Sequence, residues 1–503
     1  MSYLAALIPQ MQKAEFYPHA VNNDVELIQT HVSAVFLTGD YAYKLKKEVN
    51  FGFLDYSTLE KRKHFLEAEI EMNRVIAPEL YLEVLPITQK GDHFTLNGTG
   101  KVIEYALKMR QFPQENLFIN LFEAGKLDIE KMRELGKIVA EFHQKAQTRD
   151  YISQFGQVAK IREAFDENYQ QTQSYLGRGQ TQTQLTETQA YTDTFFTERT
   201  ELFNSRINHN KIKECHGDLH LKNICLWQDK IQLFDRIEFN EPFRFVDVMY
   251  DVAFTMMDLE ARGKQDFANA FLNAYLDQTG DYEGLPLLPL YLSRQAYVRA
   301  KVTSFLLDDP NIPETVKQEA QATATDYYKQ AWQYTQKHQE KLIMMSGLSG
   351  SGKSTVAKTL AQQQSAIILR SDAIRKQLAG ISVDAKGSNE IYTPQMSQKT
   401  YDRLLELGMM LVKEGFTVIL DAKYDRVIDR QQVINAATSN NIPLQIIQCT
   451  APIEVLRDRL LQRSGDISDA TADLLESQQA NAEDFTAEEK TYLITVDTSQ
   501  PNG

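Results

Sequence analysis

The chain has 503 residues, with 54 Lys and Arg against 68 Asp and Glu, a formal charge of −14. With 43% apolar and 24% charged residues it has ordinary globular usage, which excludes collagen-like and broadly disordered chains. So acidic a whole disfavours nonspecific binding to nucleic acid or to an anionic membrane, and three cysteines are too few for a disulfide scaffold. No basic stretch precedes the first apolar run and no apolar run nears the ~20 residues of a membrane span, so a cytoplasmic chain without membrane contact is expected. At roughly 150 residues per domain, more than one domain is expected.

In chain order, residues 25–49 read as strands with a hairpin, VELIQ, SAVFL and YAYKLKK, the last two joined by the turn TGDY. A long helix follows from about Thr58 to Ile76, with Ser57 or Thr58 as N-cap and Pro78 beyond its end. Strand signal runs from Tyr81 to about Arg110; after 128 the pattern is mostly helical, apart from a β-like patch around Cys215–Asp235. A sheet-rich lobe followed by a larger helical lobe is an α+β arrangement. The Gln- and Thr-rich residues 168–192 read as two solvated helices around a Gly177–Gly179 turn, with a disordered insert as the alternative.

His216-Gly217-Asp218-Leu219-His220-Leu221-Lys222-Asn223 carries the first chemistry. In a kinase catalytic loop an Asp orients or deprotonates the acceptor hydroxyl, and an Asn five residues on binds Mg²⁺; Asp218 and Asn223 have that spacing. An apolar strand then ends in Asp235, where a second metal-binding Asp belongs. Upstream, Lys44 can reach ATP phosphates from its strand, with Glu69 as ion-pair partner. Lys46 shares the strand face of Lys44, and Glu67 and Glu71 compete with Glu69. A zinc set of Cys215, His216, His220 and Cys225 fits no common spacing. With VIEYALKM as a hinge-like segment, these motifs resemble the aminoglycoside phosphotransferases over roughly residues 20–335. The resemblance implies a bilobal protein-kinase-like fold and makes QTHVSAVF the loop over the phosphates, with Ser33 as a contact. It also departs from that family, since Arg236 stands where a Trp normally follows the metal Asp. The acceptor does not follow from the fold, although a charge of −10 outside residues 340–503 suits a cationic one.

A polar seam at 336–341, QKHQEK, leads into apolar β-type runs at 342–346, 366–370, 416–421, 444–449 and 492–496. Helical patterns lie between them, one at about 395–414 stopping at Gly415, so βαβ units and a parallel sheet are expected. Residues 347–354, GLSGSGKS, match G-x-x-x-x-G-K-[ST] after a strand and before a helix. Gly347, Gly350, Ser351, Gly352 and Thr355 shape the loop around phosphates, Lys353 sets a charge on the transferring group, and Ser354 binds Mg²⁺. The second strand leads to Asp372, placed to take the acceptor's proton, and to Arg375, placed to hold a substrate phosphate; Ser371 or Asp372 as a plain helix cap is the alternative. The third strand ends in Asp421, a metal position, followed by Arg426 and Arg430 as substrate contacts. Arg457, Arg459 and Arg463 precede a polar loop beginning Gly465-Asp466, which suits a lid with Arg463 as its catalytic arginine.

GLSGSGKST, RSDAIRK, VILDA and the R-x-R-x-x-x-R segment resemble the small P-loop kinases: phage-type polynucleotide 5′-kinases, gluconate-kinase-like and zeta-toxin-like enzymes. That resemblance implies ATP, phosphoryl transfer and Asp372 as base. Lys423-Tyr424 replaces the usual Thr-Phe, which loosens inference about the acceptor. The sequence thus reads as a bifunctional fusion, a kinase domain over 1–336 and a P-loop kinase over 341–503, each moving the γ-phosphate of Mg-ATP to a hydroxyl. The acceptors expected are a small molecule for the first and a polynucleotide 5′-hydroxyl or a metabolite for the second. The alternatives are an N-terminal regulator of one C-terminal kinase, or one end-processing enzyme for RNA or DNA that uses both halves.

Overall fold

The computed structural model describes residues 3–21, 24–52, 54–337, 340–463 and 467–499. Its contacts divide the chain into two compact units. The first comprises Met1–Leu127, Lys145–Arg162 and Arg199–Thr255; the second comprises Asp128–Gln144, Glu163–Glu198 and Met256–Gly503. The seam at 336–341 therefore runs inside the second unit, and its His338 and Gln339 lie outside the described residues.

The first unit is built on a six-stranded antiparallel sheet of β1 (Glu26–Gln29), β2 (Ser33–Leu37), β3 (Tyr41–Lys46), β4 (Tyr81–Lys90), β5 (His93–Leu96) and β6 (Lys101–Arg110), in the order β1-β2-β3-β6-β4-β5. Alternation along β3 sends Tyr43 and Leu45 into a core with Leu7 and Met11 of the helix Tyr3–Met11, and leaves Lys44 and Lys46 for the opposite face. The helix Leu59–Asn73 starts at Thr58, whose side chain accepts from the Lys61 N–H, so Thr58 is the cap. This helix packs Leu66 and Ile70 with Tyr81 and Leu107 and ends three residues before the expected Ile76. The β-like patch is a hairpin of its own: β7 (Ile212–Glu214) is followed by β8 (Ile224–Trp227), the positive-φ turn residues Gln228 and Asp229, and β9 (Lys230–Leu233). β10 (Phe245–Asp247) pairs with β7.

The second unit holds a five-stranded parallel sheet of β11 (Leu342–Ser346), β12 (Ile367–Arg370), β13 (Val418–Asp421), β14 (Leu444–Thr450) and β15 (Leu493–Asp497), ordered β12-β13-β11-β14-β15. Helix Lys353–Gln364 packs Ala357 and Ala361 on Ile343, Met345, Ile368 and Ile419. Helix Pro394–Lys413 approaches Leu420 through Gly408, where an added Cβ would lie 2.9 Å from a Leu420 methyl. Burial of both faces explains why β11, β12 and β13 read as unbroken apolar runs, whereas the edge strand β15 is largely exposed.

The same unit contains the helices Gln182–Glu198, Gln265–Thr279, Leu288–Phe305 and Glu314–Gln333. The Gln- and Thr-rich tract is folded as two helical stretches around Gly177 and Gly179, but one face of it is packed: Leu185, Thr188 and Thr192 are buried. Helix Gln265–Thr279 covers the open edge of the parallel sheet. Asn273 Oδ1 accepts from the Ile368 N–H at 2.7 Å, and its Nδ2 donates to Ala366 O at 3.0 Å; Asn269 Nδ2 reaches the same carbonyl at 2.9 Å. One side-chain amide thus meets β12 as a neighbouring strand would. Among the described residues no helix is long and apolar enough to cross a membrane.

Candidate active sites

In the first unit a buried ion network sits beneath β3. Lys44 Nζ lies 2.8 Å from Glu69 Oε1 and 2.6 Å from Asp235 Oδ1. Lys46 Nζ takes the other Glu69 oxygen at 2.8 Å and also contacts Glu238, to which Tyr56 OH donates at 2.6 Å. Both lysines named from the strand therefore meet Glu69, but Lys44 alone also reaches Asp235; Glu67 pairs with Lys63 instead. Burial works against the Lys44 charge, yet Asp235 and then Glu69 hold its pKa well above the ordinary value.

Asp218 and Asn223 come together in the loop before β8. Asn223 Nδ2 donates to the Asp218 backbone oxygen at 2.9 Å and to its carboxylate at 3.1 Å, so the amide oxygen is the atom that could accept or ligate. The loop is held by Asp251, whose carboxylate accepts from the N–H groups of His216 at 2.7 Å and Gly217 at 2.8 Å. Gly217 has φ +85° and a Cβ there would stand 2.6 Å from Phe243 O, so the turn requires glycine. His216 is fully buried, its pKa lowered by that burial, with Nε2 2.9 Å from Phe234 O.

Asp235 itself adopts φ +62°, and its N–H donates to Tyr81 OH at 2.9 Å. Arg236 does not enter the acceptor side. It is buried and donates to Met72 O, Glu214 O and Cys215 O, bracing the end of helix Leu59–Asn73. The zinc alternative is not assembled: Cys225 lies in the apolar cluster with Leu66, and the Cys215 thiol faces Val246 O. Ser33 is buried on β2 with its hydroxyl 2.8 Å from that of Thr30, at the turn where the phosphate-covering loop was expected.

In the second unit the phosphate loop follows β11. Gly347, Gly350 and Gly352 have φ of +138°, +79° and +81°; Cβ atoms at the first two would press on Cys449 O at 2.4 Å and Leu456 O at 2.8 Å. Lys353 Nζ donates to Gly347 O and Leu348 O, both at 2.8 Å, and burial lowers its pKa. Gly350, Gly352, Lys353, Ser354 and Thr355 line a cavity of about 1340 Å³, which Asp372, Arg375, Asp421 and Arg463 also line. Gly347 and Ser351 instead border a small space of about 200 Å³ behind the loop.

Asp372 lies in the first turn of helix Ser371–Leu378 and caps nothing; the N-cap position is Arg370, without a side-chain cap. Burial raises the Asp372 pKa against opposition from a Ser468 hydrogen bond, Arg370 and Arg375. Arg375 is 8% exposed, donates to Ile391 O and Ser397 Oγ at 3.2 Å, and keeps a buried Nε–H without a partner. Arg463 likewise has a buried Nη1 without a partner in this cavity. Asp421 ends β13 in register with Arg370, whose Nε stands 3.9 Å away, beyond hydrogen-bond distance. A buried carboxylate and the Ser354 hydroxyl in one cavity are hard oxygen donors of the kind Mg²⁺ takes.

Two of the substrate-binding arginines are corrected. Arg430 is fully buried, bonded through Nε and Nη2 to Glu489 at 2.8 and 3.1 Å, and stacked over Phe485; Arg426 is held by Asp429 at 2.8 Å. Neither lines the large cavity. Arg457 faces Glu476; Arg459 and Arg463 both line the cavity, but Arg459 is engaged by Gly350 O and Thr498, whereas Arg463 keeps a buried Nη1 without a partner. The loop residues Gly465 and Asp466 lie outside the described residues. Beyond them, Asp469 is fastened to Gly387 N, Tyr392 OH and buried Lys376. Sequence reading missed Lys376, Asp251, Glu238 and the trio Asn269, Asn273 and Asp277. The trio carried a signal, a polar side chain every four residues in the otherwise apolar QDFANAFLNAYLDQT.

A family model described as an AAA domain matches residues 342–485. An uncharacterized protein of Mycobacterium tuberculosis is 28% identical over 474 residues, spanning 93% of this chain and 92% of its own length. A probable adenylyl-sulfate kinase of Bacillus subtilis is 30% identical over 135 residues, 26% of this chain and 64% of that protein. Among solved structures, a choline/ethanolamine kinase family protein from Mesorhizobium loti aligns with 66% of this chain and 99% of its own, at 10% identity and a TM-score of 0.37. With the phosphate loop in its strand–loop–helix setting inside the matched region, the chain is an ATP-dependent kinase whose P-loop domain lies within residues 342–485.

Proposed function

We propose that the chain is a bifunctional phosphotransferase in which each site moves the γ-phosphate of ATP to a hydroxyl. The observation that carries this reading is a lysine and carboxylates gathered in each unit: Lys353 and Asp372 line one cavity, while Lys44 meets Asp235 and the loop of Asp218 and Asn223 is tied to the neighbouring Phe234 N–H through Asn223 O. In the first site Lys44, fixed by Glu69, neutralises the phosphates, and Asp218 orients the acceptor hydroxyl and takes its proton. In the second the loop N–H groups and Lys353 hold the phosphates, Arg463 offsets charge that builds on the transferring group, and Asp372 takes the proton. A carboxyl raised by burial is a better base than an exposed one. Asn223 with Asp235, and Ser354 with Asp421, would hold Mg²⁺, which when bound neutralises phosphate charge.

The acceptors differ in charge. The lining of the second site has ten Lys and Arg against six Asp and Glu, in a chain whose net charge is −14. With the unsatisfied Arg375 Nε–H, this favours a small hydroxyl compound bearing its own anionic group. The kinship to a probable adenylyl-sulfate kinase points the same way. The test is transfer of labelled γ-phosphate from ATP to a metabolite panel and to a 5′-hydroxyl oligonucleotide, with wild type, Lys353→Ala and Asp218→Ala. Each variant is expected to lose one set of products and keep the other. Labelling of the oligonucleotide by wild type and not by Lys353→Ala would replace the small anionic acceptor with a polynucleotide end. Loss of every product with one variant alone would reduce the chain to a single kinase.

A further inference from the structure

The parallel sheet does not complete its own metal corner. Asp277, on helix Gln265–Thr279 and before the seam in sequence, enters the lining of the phosphate cavity. Its Oδ2 lies 3.4 Å from Arg370 Nη1, while Arg370 Nε lies 3.9 Å from Asp421 Oδ2. The guanidinium is 8% exposed and stands between two carboxylates, nearer the one that belongs to the helix. Asp277 is held there from both sides. Its backbone oxygen accepts from Gln377 Nε2 at 2.9 Å, and one and two turns back Asn273 and Asn269 bind β12 itself.

We propose that Asp277 is a positioning residue for the P-loop site, holding Arg370 off Asp421 so that the Asp421 carboxylate stays open to Mg²⁺. The proposal rests on the reading of Asp421 as a metal position. An arginine in hydrogen-bond contact with a buried carboxylate competes directly with a divalent cation for the same oxygens. Arg370 cannot lose its charge to relieve that competition, because a guanidinium stays protonated. It can only be drawn to other partners, and Asp277 is one of them, delivered by an element outside the P-loop fold.

The test uses the full chain with Lys44→Ala to silence nucleotide binding at the first site, and a fluorescent ATP analogue titrated with MgCl₂ at fixed nucleotide. The readout is the Mg²⁺ concentration at half-maximal enhancement of nucleotide binding. Asp277→Asn is expected to raise that midpoint by about fivefold or more, with metal-free nucleotide affinity unchanged. Asp277→Glu keeps the charge and should stay near wild type. The double variant Asp277→Asn with Arg370→Gln removes the competitor and should bring the midpoint back, which a damaged fold would not do. Asp421→Asn separates the two readings. If it leaves the Mg²⁺ response intact, Asp421 is not the metal position and the inference fails with it. If it abolishes the response while Asp277→Asn leaves the midpoint unmoved, the metal reading stands and the role given to Asp277 is overturned.

Discussion

If both sites take ATP as proposed, they would meet the same triphosphate with different materials. In the first unit the cation is a strand lysine whose position depends on other side chains: Glu69 receives both Lys44 and Lys46, and Asp235 and Glu238 take what remains. In the second unit the work is done by backbone, through three positive-φ glycines packed against Cys449 O, Leu456 O and Thr498. A side-chain network is exposed to the loss of any charge in it, because the partners left behind are buried. A backbone cradle is indifferent to neighbouring charge but intolerant of a single methyl group.

The largest effect should follow from attacking the network. Glu69→Ala leaves two buried lysines short of their shared partner and is expected to destabilise the first unit by about 3–5 kcal/mol. The chain helps the measurement, since its two tryptophans, Trp227 and Trp332, fall one in each unit. Urea unfolding in a Trp332→Phe background reads the first unit alone. An unchanged midpoint would mean that the network is not what holds that site.

Gly350→Ala attacks the cradle, placing a methyl group 2.8 Å from Leu456 O at φ +79°. Nucleotide affinity at the second site should fall about 100-fold while phosphotransfer at the first is unchanged, as fluorescent nucleotide titration and product analysis would read. Equal losses at both would contradict the independence of the sites.

A smaller effect should come from pH. Burial lifts Glu260 from an ordinary 4.5 to about 7, partly opposed by the hydrogen bond from Tyr334 OH. A carboxyl raised on folding binds its proton more tightly in the native state. Its contribution is therefore full below pH 4.5 and is lost as pH climbs to about 7. The second unit should lose on the order of 3 kcal/mol across that window, and Glu260→Gln should flatten the loss. Trp332 fluorescence in a Trp227→Phe background would follow it. The least change belongs to Arg426→Ala: the arginine is half-exposed, but its i,i+3 partner Asp429 is buried, so a loss of about 1 kcal/mol is expected. Arg430→Ala, which strands buried Glu489, should cost several times that.

What the sequence made legible was local chemistry. GLSGSGKS announces a loop because glycine spacing is itself the geometry, and HGDLHLKN places Asp218 and Asn223 together within one turn. Arginines were harder. Arg375, Arg426 and Arg430 all follow a strand end, and nothing local distinguishes the one with an unsatisfied donor in the cavity from those neutralised by Asp429 and Glu489. That distinction is made by residues as much as 59 positions away. Lys44 and Lys46 look alike locally for a similar reason: both meet Glu69, and what separates them is Asp235, 191 residues on.

The amide clasp of Asn273 on β12 also orders events in time. Ribosomes release the helix Gln265–Thr279 before strand Ile367–Arg370, so the surface that will cover the sheet edge exists before the edge does. The emerging strand meets a docking template instead of another nascent chain, and the gene order, helical lobe first and P-loop segment second, is the order that protects it. A transcript cut at the polar seam would release a sheet whose Ile368 N–H and Ala366 C=O seek partners elsewhere, and inclusion bodies are the expected product of such a clone.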